Sequence, residues 1–385
     1  MGRRKFTRTP KVSFKGKLAV KKIICVASAR PNFVKIAPII DAFQRRPTFE
    51  PYLVHTGQHY DEKMSDLFFR ELEIPKPNVN LGVGGGSHAV QTAQTMTAFE
   101  KVCQQEKPDA VLVVGDVNGT VACGLVAVKM GIKLIHVEAG LRSFDRTMPE
   151  EINRIVVDSI SDFLFCTEKS ALENLKREGT PDEKVFLVGN VMIDSLLKNR
   201  EKAEKLSILE DLGLRAKKYA TLTLHRPAAV DNSDVLNRLF DAFEVVQRDM
   251  PIVFPVHPRT KNNLDKFGLT TRLKKMENIR ILEPQGYLEF LKLNANALLV
   301  FTDSGGLQEE TTILKTPCVT LRENTERPCT CEVGSNRLVG LDPQAILDAY
   351  AQIKSGKGSE PQIPPYWDGK AAERIADVLE KSLND

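Results

Sequence analysis

Three acidic residues of the sequence have the types and spacing of an acid–base site. Asp116 and Glu138 each follow a short apolar run, and Glu150 stands at the start of a helical pattern. Such runs are typical of strands buried on both faces of a parallel sheet, and ligands bind outside the carboxyl ends of these strands. Crowded carboxylates push one another's protonation apart, so that one acid and one base coexist near neutral pH. The sequence therefore predicts proton transfer at these three side chains.

Glu150 also has a simpler interpretation. Acidic residues are favoured at a helix start by the helix dipole, and Glu150 could pair with Arg154 four residues later. Neither role excludes catalysis. The sequence around the three acids holds too few cations to neutralise them, so we expect them to be poorly compensated.

The stretch TDSGGLQEE, residues 302–310, predicts a diphosphate site. A strand ends there, a hydroxyl and two glycines follow, and a helix begins. Free backbone N–H groups and the Ser304 hydroxyl can bind a diphosphate, and Gly305 and Gly306 let the backbone approach it closely. Glu310 is placed to accept hydrogen bonds from two ribose hydroxyls. The alternative is a glycine-rich helix entry with a surface glutamate.

Other candidate binding residues follow predicted strands. His225 ends a strand and is the right type of group to donate to a departing phosphate oxygen. Gln285 and Phe290 could frame a planar base, although Phe290 alone is equally typical of a core. Arg30 and Lys35 lie at the start of a helix that could bind an anion.

The sequence favours no metal and no cofactor. His136, His225 and His257 fall on separate predicted strands without metal-ligand spacing. The chain lacks a Walker lysine pattern and an HExxH pair. The glycine cluster 82–86 follows no strand and lacks regular GxGxxG spacing, so we interpret it as a loop.

Strands and helices alternate in two blocks, which predicts an α/β fold of two Rossmann-like halves that face a cleft. We expect a basic extension at 1–21, an N-terminal domain at 22–190 with the carboxylates, and a C-terminal domain at 191–362 with the nucleotide site. A final helix within 363–385 is expected to pack back on the first domain. Ser87 and Asp342 are predicted helix N-caps.

Composition and charge limit the classes of partner. The 385 residues are 42% hydrophobic and 27% charged, and no run is long enough for a membrane span. The first 22 residues carry nine basic residues and no acid, whereas the remainder carries 45 basic and 50 acidic residues. That tail is either a targeting or nucleic-acid-binding arm or, as we favour, a solvated extension. Seven scattered cysteines without a CxxC pair indicate a reduced, cytoplasmic protein.

The sequence resembles the non-hydrolysing UDP-N-acetylglucosamine 2-epimerases over about residues 22–384. The matching segments are SARPNFVKIAP (28–38), TGQHYD (56–61), VGDVNGT (114–120), HVEAGLRS (136–143), MPEEINR (148–154), GNVMID (189–194), LHRP (224–227), VHP (256–258) and TDSGGLQEE with TERP (302–328). The resemblance implies a GT-B fold, a homodimer and an active site between the domains. It implies no cofactor, because UDP elimination to a 2-acetamidoglucal and re-addition need only acids, bases and a diphosphate site.

By position, Asp116, Glu138 and Glu150 resemble the acid–base carboxylates, and His225 resembles the residue that assists UDP departure. The implied UDP or substrate contacts are Arg30, Lys35, Arg142, Arg154, Arg226, His257, Gln285, Phe290, Ser304, Gly305, Gly306, Glu310 and Arg327. Among them, Arg142 and Arg154 look like supporting cations.

Some segments depart from the family pattern. Asn32 stands where relatives often have glutamate, and residues 60–62 lack the second glutamine of the bacterial activating site, so we do not expect activation by a second UDP-sugar. Other functions stay open: a hydrolysing 2-epimerase that releases N-acetylmannosamine, a 2-epimerase of a UDP-diacetamido-uronic acid, and a GT-B glycosyltransferase. A non-catalytic UDP-sugar sensor or a nucleic-acid binder that uses the tail is a further alternative.

Overall fold

The computed structural model describes residues 19–57, 68–356 and 360–383. They form two α/β units, each built on a parallel sheet, which confirms the predicted fold class. Most of the basic tail and the segment 58–62 lie outside the described residues. Among those described, no helix combines the length and apolarity needed to cross a membrane.

The first sheet has seven parallel strands in the order β3-β2-β1-β4-β5-β6-β7. They are β1 (Lys21–Ala27), β2 (Phe49–His55), β3 (Val79–Asn80), β4 (Ala110–Val114), β5 (Lys133–Val137), β6 (Phe163–Cys166) and β7 (Val185–Leu187). The strand order reverses between β1 and β4, and ligands bind at such a switch point in open α/β sheets.

Helices cover both faces of this sheet. They are α1 (Arg30–Gln44), α2 (His88–Glu106), α3 (Asn118–Lys129), α4 (Pro149–Ile160), α5 (Lys169–Arg177) and α6 (Val191–Glu204), with a 3₁₀ turn at Asp182–Lys184. The short helix α7 (Ile208–Asp211) follows them and packs with Tyr219 and Val253 of the second half. Ser87 accepts a hydrogen bond from the Val90 N–H and so caps α2, as predicted. α4 begins with a proline and two acidic residues, which suits the positive end of a helix dipole.

The second sheet has six parallel strands in the order β10-β9-β8-β11-β12-β13. They are β8 (Ala220–Thr223), β9 (Ile252–Pro255), β10 (Ile279–Leu282), β11 (Leu299–Thr302), β12 (Cys318–Thr320) and β13 (Asn336–Leu338). Its helices are α8 (Pro227–Val230), α9 (Ser233–Asp249), α10 (Pro258–Lys266), α11 (Thr270–Lys274), α12 (Tyr287–Asn296), α13 (Gly305–Leu314), α14 (Cys329–Glu332) and α15 (Pro343–Lys354). Asp342 caps α15 through the N–H groups of Gln344 and Ala345, as predicted.

The final helix, α16 (Ala371–Ser382), lies against α1 of the first half. Arg46 just after α1 pairs with Glu373 at 2.9 Å and with Asp377 at 2.7 Å. Asp194 on α6 accepts hydrogen bonds from the first two N–H groups of α16. The apolar face of α6 shares the core of the first sheet, so that core extends past residue 190, where we expected the domain to end.

Candidate active site

The ends of β4 and β5 bring Asp116 and Glu138 to the same edge of the first sheet. Val114 pairs with Val137 in register, and each acid follows within two residues of that pair. Glu138 is 3% exposed and has a φ of +70°, a backbone conformation that costs energy and clusters at functional sites. Its Oε2 lies 2.5 Å from Lys35 Nζ on α1.

Cations from distant positions compensate these acids, contrary to our expectation. Lys35 pairs with Glu138, and Arg154 on α4 donates a hydrogen bond to Asp116. Arg154 also lies 2.5 Å from Glu151 Oε2. Burial lowers the pKa of Arg154, but Asp116 and the nearby Glu326 and Glu151 outweigh it and raise the pKa. The second oxygen of Glu138, Oε1, is buried and has no hydrogen-bond partner among the described residues.

The two acids at the start of α4 do different things. Glu151 is buried and accepts hydrogen bonds from the N–H groups of Ser143 (3.0 Å) and Phe144 (2.9 Å). Burial raises the pKa of Glu151, but these N–H groups and Arg154 outweigh it and lower the pKa. Glu150 is half-buried, and Arg154 pairs with Glu151 rather than with Glu150. The predicted i,i+4 pair is therefore wrong, and the catalytic prediction for Glu150 stays a prediction.

His225 is oriented by a residue that we did not single out from the sequence. β8 and β11 are neighbours, so His225 and Asp303 follow the paired residues Thr223 and Thr302. Asp303 Oδ1 lies 2.6 Å from His225 Nδ1, and Asp303 Oδ2 accepts the backbone N–H groups of His225 and Arg226 at 2.7 Å. Burial raises the pKa of Asp303, but His225 and these N–H groups outweigh it and lower the pKa. Because Nδ1 faces Asp303, Nε2 is the ring nitrogen left for a ligand.

Two other candidates lie beside His225. The ring centroid of His257 is 5.6 Å from that of His225, and His257 Nδ1 accepts the Arg259 N–H at the start of α10. Arg226 Nη2 lies 3.7 Å from a carboxylate oxygen of Glu326. Both candidates therefore border the same end of the second sheet.

The N-terminus of α13, residues 304–307, follows β11 directly; we call it the cradle. The Ser304 side chain makes no capping hydrogen bond in the structure as described. A Cβ at Gly305 would lie 2.6 Å from Arg327 Nη1, and one at Gly306 would lie 3.0 Å from Met192 Cε. Both atoms are the far ends of flexible side chains, which move at little cost, so the predicted approach of a diphosphate to the two glycines stays a prediction.

Buried charges lie beneath the cradle. Arg327 Nε is 2.6 Å from Glu309 Oε1, and Arg327 also contacts Glu326. Burial lowers the pKa of Arg327, but Glu309 and Glu326, followed by Glu138 and Asp116, raise it far above its usual range. Asp116 and Glu138 belong to the other half, so the charge of Arg327 interacts electrostatically with carboxylates of both halves.

Two consecutive acids on α13 have raised pKa values. Burial raises the pKa of Glu309 to about 7. Burial and the neighbouring charge of Glu309 together raise the pKa of Glu310 to about 8. Glu310 is 4% exposed, so the alternative of a surface glutamate is wrong. We had selected Glu310 and overlooked Glu309, Glu326 and Asp303. The TDSGGLQEE and TERP segments contain all three, but nothing in their local pattern shows which acids face Arg327 or His225.

Some predicted binding residues are engaged elsewhere. Arg142 Nη1 lies 2.7 Å from Asp158, while Nε and Nη2 donate to Glu178, which leaves Arg142 little capacity to bind a nucleotide. Gln285 donates to the carbonyl of Glu283 at 2.6 Å. Phe290 packs on a small core cluster, as expected for a core residue; the cluster is formed by Leu209, Tyr219, Val253, Leu293 and Ala297. The Arg30 side chain lies outside the described residues.

The three histidines considered as metal ligands are separated. His136 is buried within the first half, where it contacts Asp158 and the carbonyl of Gly115. His225 and His257 lie in the second half. No group of three or more histidine, cysteine or acidic side chains suited to a metal ion occurs in the described part of the chain.

Comparisons with known proteins agree on one family. Residues 41–380 match the family model described as UDP-N-acetylglucosamine 2-epimerase. The chain is 45% identical over 363 residues, covering 93% of this chain and 98% of the relative, to the UDP-N-acetylglucosamine 2-epimerase of Methanococcus maripaludis. It is 39% identical, over 94% of this chain and 99% of the relative, to a UDP-2,3-diacetamido-2,3-dideoxy-D-glucuronate 2-epimerase of Pseudomonas aeruginosa.

A solved structure has the same architecture. The crystal structure of the Methanocaldococcus jannaschii UDP-GlcNAc 2-epimerase in complex with UDP-GlcNAc and UDP superimposes with a TM-score of 0.88. The two chains are 44% identical, and the match covers 94% of this chain and 100% of that one.

Proposed function

The chain belongs to the UDP-N-acetylglucosamine 2-epimerase family, and we propose that it inverts carbon 2 of UDP-N-acetylglucosamine to give UDP-N-acetylmannosamine without hydrolysis. One observation carries the proposal. The buried Arg327 pairs with Glu309 under the cradle of one half, and its charge is stabilised electrostatically by the carboxylates Asp116 and Glu138 of the other half. A diphosphate at the cradle therefore has acid–base groups close to the sugar attached to it.

In the first half of the reaction, a carboxylate removes the proton from carbon 2 while the anomeric carbon–oxygen bond breaks. The products held in the cleft are a 2-acetamidoglucal and UDP. Glu138 suits the role of base, because Lys35 fixes Oε2 and Oε1 has no partner among the described side chains. His225 suits the role of donor to the departing phosphate oxygen, because Asp303 holds its Nδ1 and leaves Nε2 available.

In the second half, UDP adds back to the anomeric carbon and a proton is delivered to the opposite face of carbon 2. Asp116 and Glu150 are the acids we propose for that face. Microscopic reversibility requires each group to act as acid in one direction and as base in the other, so two carboxylates of opposite protonation state are sufficient. The reaction needs no cofactor.

The charges of the cleft favour a neutral sugar over a uronic acid. A sugar carboxylate would need a cation, yet Lys35, Arg154 and Arg327 each already contact a protein carboxylate. For this reason our second candidate substrate is a UDP-diacetamido-uronic acid, the substrate class in the name of the Pseudomonas aeruginosa relative. We also propose that the protein is a homodimer, as the family resemblance implies, and that it acts in the cytoplasm; all seven of its cysteines are free.

Incubation with UDP-N-acetylglucosamine in deuterated water tests the proposal. We expect NMR to show deuterium at carbon 2 of both UDP-sugars and to show UDP-N-acetylmannosamine accumulating to equilibrium. Stoichiometric free UDP and N-acetylmannosamine would instead identify a hydrolysing enzyme. Absence of label with this substrate, but label in a UDP-diacetamido-uronic acid, would establish the second candidate. Sugar transfer to an added acceptor without label at carbon 2 would identify a glycosyltransferase.

A further inference from the structure

A hydrogen-bonded histidine–aspartate pair is buried beside the predicted acid–base residues, and neither member is exposed to the cleft. His136 on β5 is 0% exposed, and Asp158 on α4 is 3% exposed. His136 Nδ1 lies 2.6 Å from Asp158 Oδ1, and His136 Nε2 lies 2.9 Å from the carbonyl oxygen of Gly115. A carbonyl and an ionised carboxylate are both acceptors, so both ring nitrogens are placed to donate in this arrangement.

Asp158 makes further contacts with its other oxygen. Oδ2 accepts the backbone N–H of Gly140 at 3.0 Å and lies 2.7 Å from Arg142 Nη1. Arg142 is held in turn by both carboxylate oxygens of Glu178. Burial raises the pKa of Asp158, but His136 and Arg142 outweigh it and lower the pKa, which is consistent with an ionised carboxylate. The pair is therefore a fully hydrogen-bonded unit.

Its two backbone contacts are next to the predicted catalytic carboxylates. Gly115 immediately precedes Asp116, and Gly140 comes two residues after Glu138. Both glycines have positive φ, +68° and +79°, so both segments turn sharply where the pair holds them. A Cβ at Gly140 would lie 2.5 Å from the Ala171 carbonyl oxygen, which shows how tightly the second segment is confined.

We propose that His136 and Asp158 are positioning residues, which hold the Gly115 carbonyl and the Gly140 N–H and thereby set the separation of Asp116 and Glu138. The inference rests on the proposed function, because it concerns the geometry of its two carboxylates. A buried ion pair is a poor way to gain stability, since apolar residues of similar volume do as well. Directional hydrogen bonds to two loops, in contrast, fix a geometry that apolar packing leaves loose.

Three variants test the role by steady-state kinetics and UDP titration. His136→Leu removes both donors, His136→Gln can keep one of the two contacts, and Asp158→Asn removes the charge at nearly constant shape. We expect kcat to fall by about 10- to 100-fold in His136→Leu and Asp158→Asn, with His136→Gln partly rescued. The Kd for UDP should change less than twofold, because the cradle belongs to the other half.

Asp194→Asn is the matched control. Asp194 is also buried and also accepts two backbone N–H groups, those of Ala371 and Ala372, but it holds the last helix. We expect this variant to be less stable to urea and to keep its kcat. Equal losses of kcat in Asp194→Asn and Asp158→Asn, or kcat within twofold of wild type in all His136 and Asp158 variants, would overturn the inference.

A second readout does not depend on activity. Hydrogen exchange of the folded variants should speed up by tenfold or more in segments 115–118 and 138–142, and should be unchanged in 304–310. His136→Gln keeps this measurement possible if His136→Leu does not fold. Unchanged exchange in both loops would overturn the inference, whereas a wild-type enzyme with rigid loops but no label at carbon 2 would overturn the proposed function alone.

Discussion

Lys35 Nζ lies 2.5 Å from Glu138 Oε2, and this buried ion pair joins two positions that are 103 residues apart in the sequence. The pair connects α1 to the loop after β5, across the point where the strand order of the first sheet reverses. It fixes one oxygen of Glu138 and leaves the other without a partner in the described structure. Lys35 contacts the predicted base, and its expected contact with the nucleotide stays a prediction.

Replacement of Glu138 by glutamine should abolish turnover and leave UDP binding intact. The amide keeps the shape of the side chain but cannot accept the proton from carbon 2, so we expect kcat to fall by about 10²- to 10⁴-fold. Asp116→Asn should behave in the same way. Coupled kinetics and calorimetric titration of UDP provide the measurements, with the exposed Glu173→Gln as control. Normal turnover in both carboxamide variants would refute the assignment.

Lys35→Met should destabilise the fold, because it leaves the Glu138 carboxylate buried without its cation. We expect the free energy of unfolding in urea to fall by about 3 kcal/mol. Lys198→Met is the control, since Lys198 makes longer, exposed pairs with Asp41 (3.4 Å) and Glu73 (3.7 Å) and the change should cost less than about 1 kcal/mol.

The double variant Lys35→Met/Glu138→Gln should recover part of the lost stability, because it removes both charges. Additive losses in the double variant would mean that the two groups do not interact.

Asp303→Asn should slow UDP departure. The neutral amide lacks the negative charge of the Asp303 carboxylate beside Nδ1, so it supports a ring that donates from both nitrogens less well, and Nε2 becomes a weaker donor to the departing phosphate oxygen. We expect kcat to fall by about 10²- to 10⁴-fold. Asp249→Asn, which removes an exposed carboxylate of the same half that pairs with Lys354, is the control. If Asp303→Asn leaves the pre-steady-state rate of UDP departure unchanged, the His225–Asp303 pair has no role in that step.

Glu310 should make stability decrease as pH rises. Its pKa is raised from 4.5 to about 8 in the folded protein, so the folded state retains a proton that the unfolded chain has lost. The proton retained on Glu310 contributes at most about 5 kcal/mol to the free energy of unfolding. This contribution is complete below about pH 4.5 and is lost as pH rises through 8. In urea melts between pH 5 and 8, Glu310→Gln should therefore show a flatter profile than wild type, whereas Glu332→Gln on the surface should not.

UDP binding should release protons near neutral pH. If the ribose hydroxyls donate to Glu310, as we propose, they favour its ionised form, and a carboxyl group with a pKa of about 8 must then lose its proton. Calorimetry at pH 7 in buffers of different ionisation enthalpy measures the number released. We expect a clearly positive number for wild type, a smaller one for Glu310→Gln, and weaker UDP binding in Glu310→Ala. Equal numbers for wild type and Glu310→Gln would exclude the ribose contact.

The sequence by itself determined the parts that depend on short-range pattern. Apolar runs predicted the strands before Asp116 and Glu138, and Asp116, Glu138 and His225 follow strands as predicted. Local capping chemistry identified Ser87 and Asp342. We did not predict the short strands β3 and β13 or the helix α12, and β3 ends two residues before the glycine cluster that we expected to follow no strand.

Only the tertiary structure decided which charges meet. Neither the Lys35–Glu138 pair nor the Arg154–Asp116 pair, 38 residues apart, follows from any local period, because each depends on which strands become neighbours. The same holds for Asp303, which orients His225 only because β8 and β11 pair. A side chain's chemical type is fixed by the sequence, but its partner is fixed by the order of the strands.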